Sequence, residues 1–175
     1  MTRFGWLMVT YFWLLAIGAS AFIRPTPRLL WNVTASTPTG LYFLQPVRTP
    51  QVGDLVAVMP PEPIAHFLAE GGYLPQRVPL LKHVAALPGD TVCRTGHLIT
   101  IDGIVIGEAR DRDSRGRGLP VWSGCRVLDD GEIFLMNRHP DSLDGRYFGP
   151  LPAASIIGRA VPLWTSDHPE FPFHP

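Results

Sequence analysis

A mainly β domain, folded as a twisted, barrel-like antiparallel sheet behind one N-terminal transmembrane helix, is the architecture the sequence predicts. Three observations carry that reading. The 175 residues include 17 Gly and 19 Pro, a density that implies many turns and few long helices. Short β-type runs recur from residue 40 onward, each bounded by such turn residues. Residues 4–23 carry no charge, so as a helix they would extend about 30 Å, the thickness of a bilayer core.

In chain order, residues 1–24 read as a membrane anchor. Ala19-Ser20-Ala21 has the small-x-small form of a cleavage site, which makes a cleavable signal peptide the alternative. The apolar stretch exceeds the usual h-region of about 7 to 15 residues, which favours retention. Orientation is weakly encoded, with Arg3 on one side and Arg24 and Arg28 on the other. Residues 25–35 mix Pro, Arg and apolar side chains as a juxtamembrane connector would. The folded domain then occupies 36–175. Within it, residues 40–45, 54–59, 78–87, 90–94, 132–137 and 155–163 are strand-like. Asp102-Gly103, set between alternating β-branched residues in 97–106, predicts a tight hairpin. Residues 62–70, after Pro61, predict the one short helix of the domain, and 110–118 (RDRDSRGRG) a solvated loop.

Composition excludes several functions. Fifteen basic and fifteen acidic residues give a net charge of zero, so no general field recruits nucleic acid. No Cys-His spacing for a metal and no glycine-rich phosphate loop is present, and neither cofactor nor metal is expected. The basic set is uneven: fourteen residues are Arg and one, Lys82, is Lys. Arginine stays protonated, whereas a buried lysine can become a neutral amine. Biased codon usage explains the arginine excess but not why the one lysine lies in an apolar run.

A hydrolase needs a nucleophile, a base and donors for an oxyanion. Ser36 lies in NVTASTPTGLY, where Pro38 and Gly40 force a bend just before a strand and can expose the hydroxyl; an ordinary polar turn is the plain alternative. Lys82 lies in LLKHVAALPGD, and strand alternation puts it on one face with Leu80, Val84 and Ala86. At an unperturbed pKa of about 10.4 only roughly 0.04% of a lysine is neutral at pH 7, so an apolar site is what makes it a usable base. The plain alternative is a snorkelling lysine on an edge strand.

Four segments, in order, resemble the type I signal peptidases that use a Ser-Lys dyad: the Ser36 turn, Gly53-Asp54-Leu55-Val56-Ala57-Val58, Lys82 through Gly89-Asp90, and Asn137 through Gly149. The Ser-x-Pro-x-Gly-Leu-Tyr form of the turn is similar to the TraF branch, which processes proteins of conjugative transfer systems. The resemblance implies Ser36 as nucleophile, Lys82 as general base, Ser142 as the serine that orients the lysine, and Asp144 with Arg146 as a structural ion pair. It also implies Thr34 as a side-chain oxyanion donor beside the Ser36 backbone N–H. The chain departs from the family where Leu135-Met136 replaces Gly-Asp, where one residue is inserted before Ser142, and where Gly145 replaces a serine.

The expected function is therefore that of a membrane-anchored serine endopeptidase, in the inner membrane with its domain outside the cytoplasm. Its substrate would be a membrane-associated, pilin-like precursor, and its partners that precursor and the lipid bilayer. The branch resemblance adds cyclisation of the product as an outcome, against hydrolysis alone. A Ser-His-Asp triad of Ser36 with His139 or His83 and Asp141 is the rival mechanism. A non-enzymatic β domain of a secretion apparatus is the rival class. Cys93 and Cys125, the two cysteines, suggest a disulfide in an exported domain, with two buried thiols as the alternative.

Overall fold

The computed structural model describes residues 2–20 and 28–166. Its first element, α1 (Arg3–Ser20), is a helix, yet among the described residues no helix is long and apolar enough to cross a membrane. This corrects the spanning segment expected over 4–23. Absence of charge overstates the apolarity of that segment: Thr10 and Ser20 are polar, and Trp6, Trp13 and Tyr11 belong to residue types that favour the headgroup level over the acyl core. None of the α1 side chains is buried. Residues 21–23, and with them the end of the Ala19-Ser20-Ala21 motif, lie outside the described residues.

The domain follows as β1 (Leu29–Asn32), β2 (Gly40–Gln45), β3 (Leu55–Val58), α2 (Glu62–Glu70), β4 (Leu80–Ala86), β5 (Thr91–Thr95), β6 (Leu98–Ile101), β7 (Ile104–Glu108), β8 (Gly124–Val127), β9 (Glu132–Met136), α3 (Gly145–Phe148), β10 (Leu151–Pro152) and β11 (Ile156–Thr165). Among the described residues every strand pair is antiparallel. Seven strands form the larger sheet in the order β1-β2-β11-β3-β4-β9-β10, and four form the smaller in the order β7-β6-β5-β8. The long β11 pairs with β2 along one edge and β3 along the other, and its register shifts at Pro162/Trp164 and Ile156/Gly158 are bulges of the kind that curl a sheet.

Local chemistry accounts for the main features. Asp102 and Gly103 both adopt positive φ, 49° and 81°, as a two-residue turn between β6 and β7 requires. Strands β3 and β9 read as continuous apolar runs because both faces are covered. Val56, Val58, Ile133 and Leu135 pack in one cluster, while Ala57 joins Tyr42 and Leu81 in a second, and Phe134 and Met136 join Val92 and Ile99 in a third. Gly40 ends β1–β2 pairing at φ 144°, where an added Cβ would meet the Trp164 carbonyl oxygen at 2.1 Å. The helix over 62–70 forms as predicted; β1, β8, β10 and α3 were not anticipated by the sequence reading. Residues 29–32, expected as connector, are instead the edge strand that leads into the Ser36 turn.

Candidate active site

Ser36 lies at the tip of the β1–β2 hairpin, in the loop closed by the Asn32–Gly40 pair. Loop shape comes from one side chain. Asn32, buried, donates through Nδ2 to the carbonyls of Thr34, Thr37 and Pro38 at 3.0, 3.0 and 3.1 Å, and its Oδ1 accepts from the Thr34 backbone N–H at 3.0 Å. The Thr34 hydroxyl also donates to Asn32 Oδ1, at 2.7 Å. Its single proton is thereby committed, and service to an oxyanion requires the hydroxyl to rotate away. The Tyr42 hydroxyl closes the far side by donating to the Pro38 carbonyl at 2.7 Å.

Lys82 is 4% exposed, in the middle of β4 with Val56 opposite it on β3. Its Nζ donates to Ser142 Oγ at 2.6 Å. Ser142 is itself buried, in the loop after β9. That loop is held by an ion pair sealed from solvent. Arg146 Nε meets Asp144 Oδ1 at 2.9 Å, and its Nη2 donates to the carbonyls of Asn137, His139 and Ser142 at 3.3, 2.8 and 3.1 Å. Asp144 Oδ2 accepts the Asn137 N–H at 3.0 Å. A buried pair with this many satisfied donors specifies one loop conformation more than it adds stability.

Asn137 joins the two halves of the site. Its Nδ2 donates to the Ser36 carbonyl (3.1 Å), to Thr37 Oγ1 (3.1 Å) and to the Leu81 carbonyl (3.0 Å), and its Oδ1 accepts from the His83 backbone N–H (3.1 Å). The Ser36 turn and the residues on either side of Lys82 are therefore bonded to one fully buried amide. His83 Nδ1 lies 3.2 Å from the same Oδ1. Burial, followed by the charges of Arg138 and Lys82, holds the His83 imidazole below its ordinary pKa, with the Asn137 bond acting in the opposite sense.

Ser36, Lys82 and Ser142 open on one cavity of about 270 Å³, walled by apolar groups that include Leu68, Leu74 and Val78. The sequence profile of the family described as signal peptidase, peptidase S26, matches residues 1–164. This chain belongs to that signal peptidase family.

A conjugal transfer protein TraF of Agrobacterium fabrum is 38% identical over 148 residues, covering 78% of this chain and 82% of its own length. A probable signal peptidase I-1 of Synechocystis is 37% identical over 115 residues, 64% of this chain and 53% of that one. A crystal structure of a signal peptidase I from Enterococcus faecalis aligns over 65% of this chain and 98% of that chain, at 21% identity and a TM-score of 0.40.

In this signal peptidase family member, among the described residues, the His139 form of the triad has no hydrogen bond from His139 to the Asp141 carboxylate. Asp141 gives its carboxylate to Arg110, and its backbone N–H donates to His139 Nδ1 at 3.2 Å. With Nδ1 accepting, a neutral His139 ring carries its proton on Nε2 and has no lone pair there for a serine proton. Cys93 and Cys125, directly opposite each other on β5 and β8, are joined as a disulfide remote from the cavity. Asn32, Thr37, Asn137 and Arg94 are buried polar residues whose burial the sequence does not signal. Arg94 donates through Nη1 to the Arg146 carbonyl at 2.7 Å, tying the smaller sheet to the site loop. Asn137 opens the fourth matching segment, and that position was the one signal available for it.

Proposed function

We propose that the protein is a serine endopeptidase that cleaves exported precursor polypeptides, with Ser36 as nucleophile and Lys82 as general base. The observation that carries the reading is a buried lysine, hydrogen-bonded to a buried serine, opening on the same cavity as a second serine at a hairpin tip. A lysine removed from water can shed its proton and act as a base, which the fourteen arginines cannot. Ser36 Oγ attacks the scissile carbonyl while its proton passes to the neutral Lys82 amine. The Ser36 N–H, with Thr34 once its hydroxyl turns from Asn32, stabilises the oxyanion. Lys82 then protonates the leaving amine, and the Ser36 ester remains.

The ester is released by water or by an amine. An amine tethered in attack geometry can have an effective molarity of order 10⁵ M or above, against roughly 55 M for water, so cyclisation of a precursor onto its own amino terminus is chemically accessible. Relatives named conjugal transfer protein support a precursor from a conjugative system as the substrate, and the branch resemblance of the Ser36 turn adds that it is pilin-like. An extracytoplasmic location suits the Cys93–Cys125 bond. Residues 36–175 are assigned as the peptidase domain, with β1 added to it, after a leading segment 1–24 and connector residues from 25.

The test is processing of a pilin-like precursor expressed together with this chain, in cells carrying Ser36→Ala or Lys82→Ala. Each substitution should abolish processing while the circular dichroism of the domain stays unchanged, because either member is useless alone. Processing that survives in a folded Lys82→Ala protein removes the dyad. Intact mass of the product then separates the two fates: a cyclic chain is one water lighter than the linear product of the same cut.

A further inference from the structure

We propose that an arginine-lined cavity adjoining the Ser36–Lys82 cavity is a second substrate subsite that binds an acidic stretch of the precursor polypeptide. The proposal rests on the peptidase reading above. The second cavity encloses about 250 Å³ between the 110–117 loop and the 140–143 segment. Tyr73, Asp141 and Leu143 line both cavities, so a polypeptide held at Ser36 has a continuous path into it.

Its charge is unusual for this chain. Arg110, Arg112, Arg115 and Arg117 face it together with Asp113 and Asp141, a formal excess of two positive charges in a protein whose net charge is zero. Both carboxylates are already engaged. Asp113 Oδ2 accepts from the Tyr73 hydroxyl at 2.6 Å and from Arg117 Nε at 2.7 Å, and Asp141 pairs with Arg110. The Tyr73 hydrogen bond, before all else, holds the Asp113 carboxyl well below the usual carboxylate range, so it stays ionised and occupied. Among the described residues no carboxylate pairs with Arg112 or Arg115; the one side-chain bond of Arg112 goes to the Gly116 carbonyl, at 2.7 Å.

The loop is already shaped. Asp113 Oδ1 accepts the backbone N–H of Arg115 and of Arg117 at 2.9 and 2.8 Å, and the Arg117 guanidinium stacks 4.0 Å over the Tyr73 ring. A ligand therefore meets two unpaired guanidinium forks on an ordered support. The planar fork matches a carboxylate with two parallel hydrogen bonds, and preorganisation reduces the entropy lost on binding. Side-chain carboxylates of Asp or Glu and a terminal α-carboxylate share that chemistry. A cavity that shares walls with the Ser36 site fits a peptide better than a membrane surface does.

The experiment uses the full chain carrying Ser36→Ala, so that binding is read without turnover and independently of the dyad. The probes are fluorescein-labelled alanine-glycine decapeptides with a central Glu-Glu or Gln-Gln pair, each as the free acid and as the carboxy-terminal amide. The Glu-Glu peptide should bind about fivefold more tightly than its Gln-Gln twin, as two half-exposed charge contacts would give. That preference should vanish at about 0.5 M salt and in the Arg112→Gln/Arg115→Gln double variant. A gain that follows the free acid rather than the central pair supports the subsite with the α-carboxylate as its ligand. Equal binding of all four peptides overturns the proposal, as does a preference that survives in the double variant. Loss of binding to phosphatidylglycerol vesicles in the double variant, with no discrimination among peptides, overturns it in favour of a lipid. None of these results alters the Ser36→Ala and Lys82→Ala processing test, so the two readings fail separately.

Discussion

The proposed base, Lys82, lies in a site that is 4% exposed, and in the proposed mechanism Ser142 holds its amine there. The Ser142 hydroxyl both fixes the direction of Nζ and accepts from it at 2.6 Å. Ser142→Ala should lower the rate of precursor processing by about ten- to a hundredfold, the equivalent of one hydrogen bond to a chargeable group at about 1.5–3 kcal/mol, with little change in KM. Lys82→Arg should lose about 10² to 10⁴-fold, because arginine keeps the charge and cannot accept the proton; appreciable activity there would sink the neutral-amine mechanism. His83 gives a pH signature. Burial lowers its folded-state pKa beneath the ordinary 6.5, so the unfolded chain takes up a proton first. Stability from this group is complete above pH 6.5 and is lost as pH falls from there toward the depressed folded value. His83→Gln should flatten the fall in melting temperature between pH 7.5 and 5, which calorimetry at the two pH values measures. At this scale the sequence was uneven. Lys82 was legible because it is the one lysine. Asn137 was not, because its partners Ser36 and Leu81 are 101 and 56 positions away.

Elements were legible wherever a side-chain pattern repeats. The runs at 40–45, 78–87 and 132–137 became β2, β4 and β9, and Asp102-Gly103 became the β6–β7 turn. Strand β8 shows no alternation to read, since all of its residues are exposed, and α3 is a single turn of 4 residues, too short for a helical period. In the run over 4–23 the lack of charge is legible, but Trp and Tyr favour the headgroup level, and among the described residues α1 is not apolar enough to span. The departure at Gly145 acquires a physical cause at this scale. It begins α3, and an added Cβ would approach the Leu135 carbonyl oxygen at 2.7 Å and the Phe134 ring at 2.7–2.8 Å. Restoring a serine there should cost about 1–3 kcal/mol by overpacking against β9, read as a lower midpoint in urea with an unchanged slope. A Gly145→Ser protein as stable as the parent would mean that the α3 turn moves off β9 at no cost.

The whole molecule divides into a larger sheet that carries Ser36 and Lys82 and a smaller sheet that carries the disulfide, and Arg94 is a link between them. On β5 it neighbours Cys93, is 1% exposed, and donates to the carbonyls of Gly96, Pro120 and Arg146. Burial lowers its pKa, yet a guanidinium stays charged, so the three carbonyls are its compensation. The disulfide acts differently. It staples the exposed β8 to β5 and closes a separation of 32 residues, worth about 3–4 kcal/mol in the chain-entropy model. These two roles predict opposite splits between stability and activity. Cys93→Ser/Cys125→Ser should lower the unfolding free energy by about 2–4 kcal/mol and leave processing well below the melting temperature unchanged, because β5 is still held by β6 and Arg94 still reaches Arg146. Arg94→Met should lower both, because it leaves buried carbonyls unpaired and releases the Arg146 backbone on which the Asn137–Ser142 loop depends. Denaturant unfolding and processing rate, measured on the same two variants, test the division. A cysteine variant that loses processing while still folded would show that the disulfide, and not Arg94, holds the smaller sheet against the site.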